Sequence, residues 1–295
     1  MPTRRVPELV LVAERRVAEL FPSGGAGRME ASGVLTIDDG FLMVFDDSRN
    51  IGRIGRDLGD ETDNVIITPQ WAAANRATWD GYEDIARDPI SGDYYLLVEA
   101  AEHGDDGWQA KVERVDTEFR ALTASWLPFA LPDAGKGMEG LTCVQRDGSS
   151  HLLAICEGNR CEGGKAGKRP GGGRVQVFTP GQDGWAQVAT IELPEHLWFV
   201  DFSSVSVSGD RIAVSSQESS ALWVGRLASD SWQIADDGTV YEFPRDLDGK
   251  VVYCMIEGVS WIDDRQFVTV SDRAKSSTPG RCRDKQQSVH IFALP

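Results

Sequence analysis

The amino-acid sequence predicts an all-β fold, a five-bladed β-propeller with four-stranded blades, and three observations support this prediction. Short apolar runs alternate with Gly/Asp turns along the whole chain. A Glu or Ser that opens such a run recurs at intervals of 51, 56, 65 and 53 residues. Repeats of about 40–60 residues that each hold several short strands are typical of propeller blades. We call the recurring residues the anchors: Ser32, Glu83, Glu139, Ser204 and Glu257.

Each repeat reads as a series of strands in sequential order. The first strand begins at the anchor, and a turn such as "DPISGD" leads to the second. The predicted second strands are "FLMVFDD", "YYLLVEA", "HLLAICE", "RIAVSSQ" and "QFVTVSD". The third strands are "NIGRIG", "WQAKVERVD", "RVQVFTP", "ALWVGRL" and "SVHIFAL". Fourth strands are legible in four repeats as "NVIITPQ", "RALTASWLPF", "AQVATIELP" and "TVYEFP".

The fifth repeat has no fourth strand before Pro295, whereas the N-terminal segment "ELVLVAERRVAELF" belongs to no repeat. We therefore expect this segment to form an N-terminal strand that closes the last blade, within one domain over residues 1–295. Two alternatives remain open. The strand count also suits a pair of β-sandwiches, and "VPELVLVAERRVAELF" also reads as an amphipathic helix.

The chain is strongly acidic, with 46 Asp and Glu against 30 Lys and Arg and a formal net charge of −16. Such a field repels nucleic acid and anionic membranes and suits a protein that binds cations, although plain solubility explains it as well. No apolar run reaches the roughly 18 residues that a membrane span needs. We expect no nucleic-acid or membrane partner, and the oligomeric state stays open.

The five cysteines are an odd number without the framework of a small disulfide-rich scaffold, which predicts reduced thiols. Cys156 and Cys161 read as ordinary thiols because no obvious base lies near them in the sequence. Glu8 and Glu14 interrupt the first apolar patch too early for a secretory signal. The prediction is a cytoplasmic protein, and secretion after removal of a leader is the alternative.

The anchors predict a cation site. In a propeller the first residues of the innermost strands surround one mouth of the central channel, so three glutamates would meet there and repel each other. Ca²⁺ accepts six to eight oxygen ligands and would relieve this repulsion, with Mg²⁺ as the second candidate. The predicted metal ligands are therefore Ser32, Glu83, Glu139, Ser204 and Glu257. The alternative is that each glutamate only caps its strand.

A second set of acids follows the second strands and would emerge at the same mouth: Asp46, Asp47, Glu99, Glu157, Glu218 and Asp272. Two loops there, "GNRCEGGKAGKRPGGGR" and "DRAKSSTPGRCRDK", are basic. Cations beside a metal predict an anionic ligand, held by Arg160, Lys168, Arg273 and Arg281. The alternative is that these Gly-rich loops are flexible and solvated.

Several of the quoted stretches resemble a known family. The segments "GRMEASGVL", "DDSRNIGRI", "FSSVSV" and "IEGVSWI" are similar to the blade openings of the calcium-activated apyrases, over roughly residues 27–270. This resemblance implies a five-bladed ring with a central calcium, and it makes the five anchors calcium ligands. The "EG-hydrophobic" openings also resemble bacterial phytase-like esterase propellers. Both resemblances imply an acidic, metal-loaded mouth, and they differ in the substrate that they imply.

We therefore expect a calcium-dependent hydrolase that acts on a phosphorylated or other anionic small molecule, as a phosphoanhydride or an ester. The general base for water would be one of five acids: Asp46, Asp47, Glu99, Glu157 or Asp272. Two alternatives stay open. One is a metal-dependent lyase, cyclase or isomerase of a biosynthetic pathway, and the other is a non-catalytic binding propeller with a structural calcium.

Overall fold

Five four-stranded antiparallel sheets form the body of the protein in a computed structural model, and the predicted five-bladed β-propeller is confirmed. The structure describes residues 6–21, 29–59, 63–71, 81–182 and 184–295. The first two residues of the "GRMEASGVL" motif lie outside this part of the chain. No helix among the described residues is long and apolar enough to cross a membrane.

The blades follow the chain in order, and each predicted strand has its counterpart. Blade 1 contains β2 (Ala31–Ile37), β3 (Gly40–Phe45), β4 (Ser48–Gly55) and β5 (Val65–Ile67). Blade 2 contains β6 (Ile85–Arg87), β7 (Tyr94–Glu102), β8 (Trp108–Val115) and β9 (Ala121–Trp126). Blade 3 contains β10 (Met138–Arg146), β11 (Ser149–Cys156), β12 (Arg174–Gly181) and β13 (Gly184–Glu192).

The last two blades complete the ring. Blade 4 contains β14 (Ser204–Ser208), β15 (Arg211–Ser216), β16 (Ala221–Arg226) and β17 (Thr239–Glu242). Blade 5 contains β18 (Ile256–Trp261), β19 (Gln266–Ser271), β20 (Ser288–Ala293) and the N-terminal β1 (Val10–Arg16). Among the described residues, the short helices are α1 (Val17–Leu20) and α2 (Gly164–Gly167), with one-turn 3₁₀ helices at Gly104–Asp106 and Asn159–Cys161 and a longer one at Gly280–Lys285.

The N-terminal strand β1 closes the last blade, as the sequence predicts. It pairs antiparallel with β20, so that Glu14 lies opposite His290. The alternative of an amphipathic helix holds only for the four residues of α1, which follow the strand directly. Both ends of the chain therefore share one sheet, and opening the ring requires this pairing to break.

The core lies between the blades. Buried apolar side chains form five clusters in the described part of the chain, and each cluster joins one pair of neighbouring blades. The middle strands are covered on both faces, which is why a run such as 41–45 ("FLMVF") is apolar throughout and buried at every position. The most continuous apolar runs in the sequence mark these second strands.

The cysteines correct one prediction. Cys156 and Cys161 form a disulfide, and so do Cys254 and Cys282, whereas Cys143 is free. The interpretation of Cys156 and Cys161 as ordinary thiols is therefore wrong. The fold brings the Cα atoms of Cys156 and Cys161 to 5.2 Å and those of Cys254 and Cys282 to 5.7 Å, and both are normal disulfide separations. The cytoplasmic location stays a prediction, and the expectation of reduced thiols no longer supports it.

Candidate functional site

One mouth of the central channel opens into a cavity of about 310 Å³ that receives side chains from all five blades. Its lining is dominated by carboxylates. Among the described residues, three of them are anchors, four lie near the end of a second strand or directly after it, and two precede the innermost strands of blades 1 and 4. In that order they are Glu83, Glu139, Glu257, Asp46, Glu99, Glu157, Asp272, Glu30 and Asp201.

Glu139 and Glu257 reach the cavity because each lies at a β-bulge of its innermost strand. The register of β10 shifts between Met138 and Gly140, and that of β18 shifts in the same way around Glu257. A bulge inserts one residue and re-aims its side chain. The glycine that follows lets the next blade approach, because a Cβ on Gly140 would lie 2.6 Å from the Cα of Ser204. In the repeated "EG" pair, the Glu therefore forms the bulge and the Gly allows the close contact with the next blade.

The two serine anchors have supporting positions. The Ser32 hydroxyl donates to the Glu83 carboxylate at 3.0 Å. The Ser204 hydroxyl donates to Asp84 at 3.2 Å and accepts the Val259 N–H at 3.2 Å. The structure therefore brings the three predicted glutamates to one cavity, whereas Ser204 lies behind it in contacts between blades.

The second set of predicted acids divides between the cavity and its surroundings. Strands β3, β7, β11 and β19 all lead toward the same mouth, and the cavity is lined by Asp46, Glu99, Glu157 and Asp272. Asp47 follows Asp46 but does not line the cavity. Glu218 forms an ion pair with Lys168 at 2.6 Å beside the cavity. Blade 4 instead contributes Gln217, whose amide donates to Glu257 at 2.5 Å.

Six of the described cavity acids form two groups of three, and in each group one carboxylate oxygen from every residue lies within 4.8 Å of the others. The Asp46 group comprises Glu30, Asp46 and Asp272, from blades 1 and 5. The Glu139 group comprises Glu99, Glu139 and Glu157, from blades 2 and 3. The anchors Glu83 and Glu257 line the same cavity beside them. All of these ligand atoms are hard oxygen donors.

Burial and mutual repulsion make these carboxylates hard to ionise together. Burial, reinforced by Asp272 and Glu30, raises the pKa of Asp46 to about 7. Burial and the neighbouring Glu99 raise the pKa of Glu83 to about 8, and burial raises the pKa of Glu139 well above its usual range. One buried oxygen of Asp46 accepts no hydrogen bond from the described residues. Near neutral pH the cavity must therefore hold protons or a cation.

Two lysines, Lys136 and Lys275, bring positive charge to the cavity. The Lys136 ammonium forms an ion pair with Glu157, and although burial opposes it, this contact raises the pKa of Lys136. Lys275 is exposed and has no ion-pair partner within 4.0 Å in the described part of the chain. Its charge counteracts the burial that raises the pKa of Glu257 and Asp272.

The four cations predicted to bind substrate have other contacts. The Arg160 guanidinium donates to the Arg169 carbonyl at 3.4 Å, and Lys168 pairs with Glu218. Arg281 donates to the Val251 carbonyl at 2.9 Å. Only Arg273 contacts a cavity acid, Glu30, at 3.2 Å. None of the four lines the cavity.

The residues that sequence reasoning missed lie next to the anchors. Lys136 opens the stretch "KGMEGLTCV" that contains Glu139, and Glu30 precedes Ser32 by two positions. Asp84 follows Glu83, is 2% exposed, and accepts hydrogen bonds from the Leu141 N–H at 2.9 Å and the Ser204 hydroxyl. Burial raises the pKa of Asp84 to about 8. Asp84 thereby links the innermost strands of blades 2, 3 and 4 beside the cavity.

Comparisons with known proteins support the fold. No family model matches the chain, and no curated protein matches it. The chain is similar to the crystal structure of Myxococcus xanthus glutaminyl cyclase, with 10% identity and a TM-score of 0.55 over 99% of this chain and 100% of that one. It also matches the PQQ-bound aldose sugar dehydrogenase from Streptomyces coelicolor, with 8% identity and a TM-score of 0.48 over 95% and 98% of the two chains.

At these identities the likeness shows the fold alone. Neither matched structure is named as an apyrase or a phytase-like esterase, so those two resemblances stay predictions. The similarity to the Myxococcus protein extends from end to end of both chains, so the whole architecture is shared.

Proposed function

We propose that the mouth cavity binds a divalent cation, Ca²⁺ in the first place, and that the chain is a metal-dependent hydrolase of a phosphorylated or other anionic small molecule. The observation that carries the proposal is the Glu139 group, with three carboxylate oxygens within 4.8 Å of one another. Oxygens that share one Ca²⁺ at about 2.3–2.6 Å have separations of this size or smaller.

The donor set fits a hard cation. Both groups consist only of carboxylates, which suit Ca²⁺ and Mg²⁺, whereas zinc sites include Cys or His among their ligands. Burial and mutual repulsion raise the pKa of the cavity acids, and a bound charge of +2 would favour their ionised forms. Ca²⁺ is favoured over Mg²⁺ because it accepts more ligands in looser geometry, and Glu83 and Glu257 are at hand in the same cavity.

The chain's own residues supply the rest of the chemistry. A bound Ca²⁺ would polarise a phosphoryl or carbonyl oxygen of the substrate. Lys136 and Lys275 attract and orient an anion at an otherwise acidic mouth. Asp46 and Asp272 line the blade 1 and blade 5 side of the cavity and are the proposed general bases for water, since the Glu139 group holds the cation.

The test is calorimetric titration of the metal-free protein with Ca²⁺ and Mg²⁺, followed by an activity screen over phosphate esters and nucleotides. Glu139→Gln should weaken Ca²⁺ binding by about 100-fold, since changes to outer-shell groups alone cost about 10–100-fold. Glu118→Gln, on an exposed turn, is the matched control and should bind as the wild type does. A wild-type protein that binds neither ion would overturn the proposal.

A second candidate is a metal-dependent cyclase, which the end-to-end likeness to a protein named glutaminyl cyclase suggests by analogy of fold alone. The buried Glu83, with a pKa of about 8, would exchange a proton with the substrate near neutral pH. Turnover of a glutaminyl peptide without hydrolysis of any phosphate ester would select this candidate. Cation binding without turnover of either substrate class would leave a binding propeller.

A further inference from the structure

The Cys156–Cys161 disulfide encloses a residue of the proposed cation site. Cys156 is the last residue of β11, Glu157 follows it directly, and the cross-link spans five positions with a Cα–Cα distance of 5.2 Å. We call residues 156–161 the disulfide ring. Glu157 is part of this ring, so the ring fixes the direction in which its side chain leaves the backbone.

The backbone of the disulfide ring adopts conformations that its residues disfavour. Arg160 and Cys161 have φ values of 58° and 56°, in the left-handed region that non-glycine residues rarely enter. Gly158 has no space for a side chain, because a Cβ there would lie 2.1 Å from the Glu162 carbonyl oxygen. Such a backbone persists only where its surroundings restrain it.

Asn159 anchors the ring from inside. Its side chain is fully buried, donates to the carbonyls of Gly167 at 2.9 Å and Phe199 at 3.2 Å, and accepts the Gly172 N–H at 2.9 Å. These bonds tie the ring to the rest of its loop and to the segment that precedes β14. The disulfide and Asn159 therefore restrain the same short piece of backbone from two sides.

Glu157 transmits this restraint to the cavity. Its N–H donates to the Gly137 carbonyl at 3.1 Å, and its carbonyl accepts the Phe202 N–H at 2.9 Å. Its carboxylate pairs with Lys136 and belongs to the Glu139 group. Three carboxylates so close together repel one another, and a carboxylate at the end of an unrestrained loop would turn toward water.

The connections between second and third strands show a pattern that points to the same role. In blades 1 and 4 the connections are short, 46–47 and 217–220, and a tight turn sets the position of the cavity residue. In blades 3 and 5 they are long, 157–173 and 272–287, and each of these two loops is held by a disulfide. The disulfide therefore restrains the cavity residue of a long loop, as the tight turn restrains that of a short connection.

We propose that the Cys156–Cys161 disulfide is a positioning device for Glu157, so that reduction by a dithiol lowers the cation affinity of the cavity. This inference rests on the proposed cation site. Cys161 is the more exposed of the two cysteines and is the sulfur that a thiolate attacks. The dithiol loses two electrons and two protons and closes to a cyclic disulfide, while the S–S bond becomes two thiols.

The test is a double-mutant cycle read by Ca²⁺ titration calorimetry. Cys156→Ser/Cys161→Ser should weaken binding by about tenfold or more, the usual cost of losing a residue that orients a ligand. Glu157→Gln should also weaken binding. The variant with all three changes should bind no more weakly than Glu157→Gln alone, because the disulfide acts through Glu157.

Additive losses in the combined variant, or unchanged affinity in Cys156→Ser/Cys161→Ser, would overturn the positioning role while leaving the cation site intact. A wild type without cation binding would overturn the proposed function and this inference with it. Dithiothreitol on the folded wild type gives a second measurement if the cysteine variant misfolds. Its effect should persist in Cys254→Ser/Cys282→Ser, and loss of the effect there would assign it to the other disulfide.

Discussion

At the scale of single residues, the mouth in blades 3 and 5 is built by a bulged acid followed by a glycine. The acid supplies charge, and the glycine supplies the space in which the next innermost strand approaches. In blade 1 the same pair is Ser32 and Gly33, and a Cβ on Gly33 would lie 2.5 Å from the Cα of Asp84. The neighbouring innermost strands therefore meet backbone to backbone, which sets how closely the carboxylates converge.

This contact predicts that Gly140→Ala destabilises the protein by about 1–3 kcal/mol, the usual cost of overpacking. The added methyl group would lie 2.6 Å from a backbone atom, Ser204 Cα, which cannot rotate away as a side chain can. Urea unfolding measures the change. Gly280→Ala is the matched control, because a Cβ there meets nothing within 4 Å, and equal losses in both variants would contradict this explanation.

At the scale of elements, the closing strand β1 is fastened to blade 5 by charge as well as by its ladder. Glu14 pairs with Lys285 at 2.6 Å and lies 3.4 Å from the buried His290 ring. The neighbouring His290 ring, opposed by burial and helped by Lys285, lowers the pKa of Glu14 to about 2. A folded-state pKa below the unfolded value contributes stability that is lost as the pH falls from about 4.5 to 2.

We therefore predict that Glu14→Gln lowers the free energy of unfolding at pH 7 by about 1 kcal/mol, a value reduced for solvent screening because Glu14 is partly exposed. The difference from wild type should shrink as the pH falls toward 2 and disappear below it, where Glu14 is protonated in both states. Urea unfolding between pH 2 and 7 measures it. Glu19→Gln, on the exposed face of α1, is the matched control. A difference between Glu14→Gln and wild type that stays constant at all pH values would exclude the ionic explanation.

The strands were predictable from the sequence because each second strand is packed on both faces and each turn is marked by Gly or Asp. The cavity acids were partly predictable, because strand direction alone carries Asp46 and Asp272 to one mouth. Lys136 and Glu30 escaped prediction because they lie in the connecting segments before the innermost strands, whose path depends on neighbouring blades. The Cys254–Cys282 bond joins two separate elements, so its pairing could not be read from spacing.

The four cations predicted to bind substrate do not line the cavity. A basic loop in an acidic chain suggests an anion site, yet Lys168 and Arg281 use their charges locally, on Glu218 and on a backbone carbonyl. Local hydrogen-bond partners of long side chains are not encoded in the charge pattern. The cations that line the cavity, Lys136 and Lys275, are those next to the acids in the fold.

At the scale of the whole molecule, the ring of five blades brings acids from separate blades together near its axis. The pKa of Asp46 rises to about 7 and that of Glu83 to about 8, mainly through burial. Between about pH 4.5 and 8 the metal-free folded protein therefore holds more protons than the unfolded chain. Its free energy of unfolding must fall as the pH rises through this window.

The corresponding prediction is that metal-free protein melts at progressively lower temperature from pH 5 to pH 8, and that Ca²⁺ removes most of this decline. Ca²⁺ at 100 times its dissociation constant at pH 8 should add about 2.7 kcal/mol there, and the same concentration should add less at pH 5, where more protons compete for the carboxylates. Thermal unfolding with EDTA and with Ca²⁺ at three pH values measures both effects. The double variant Glu83→Gln/Glu139→Gln should melt with a flatter pH dependence and gain little from Ca²⁺, whereas Glu118→Gln should match the wild type. If the metal-free protein instead becomes more stable toward pH 8, the axial carboxylates are not the groups that limit its stability, and the cation would have no repulsion to relieve.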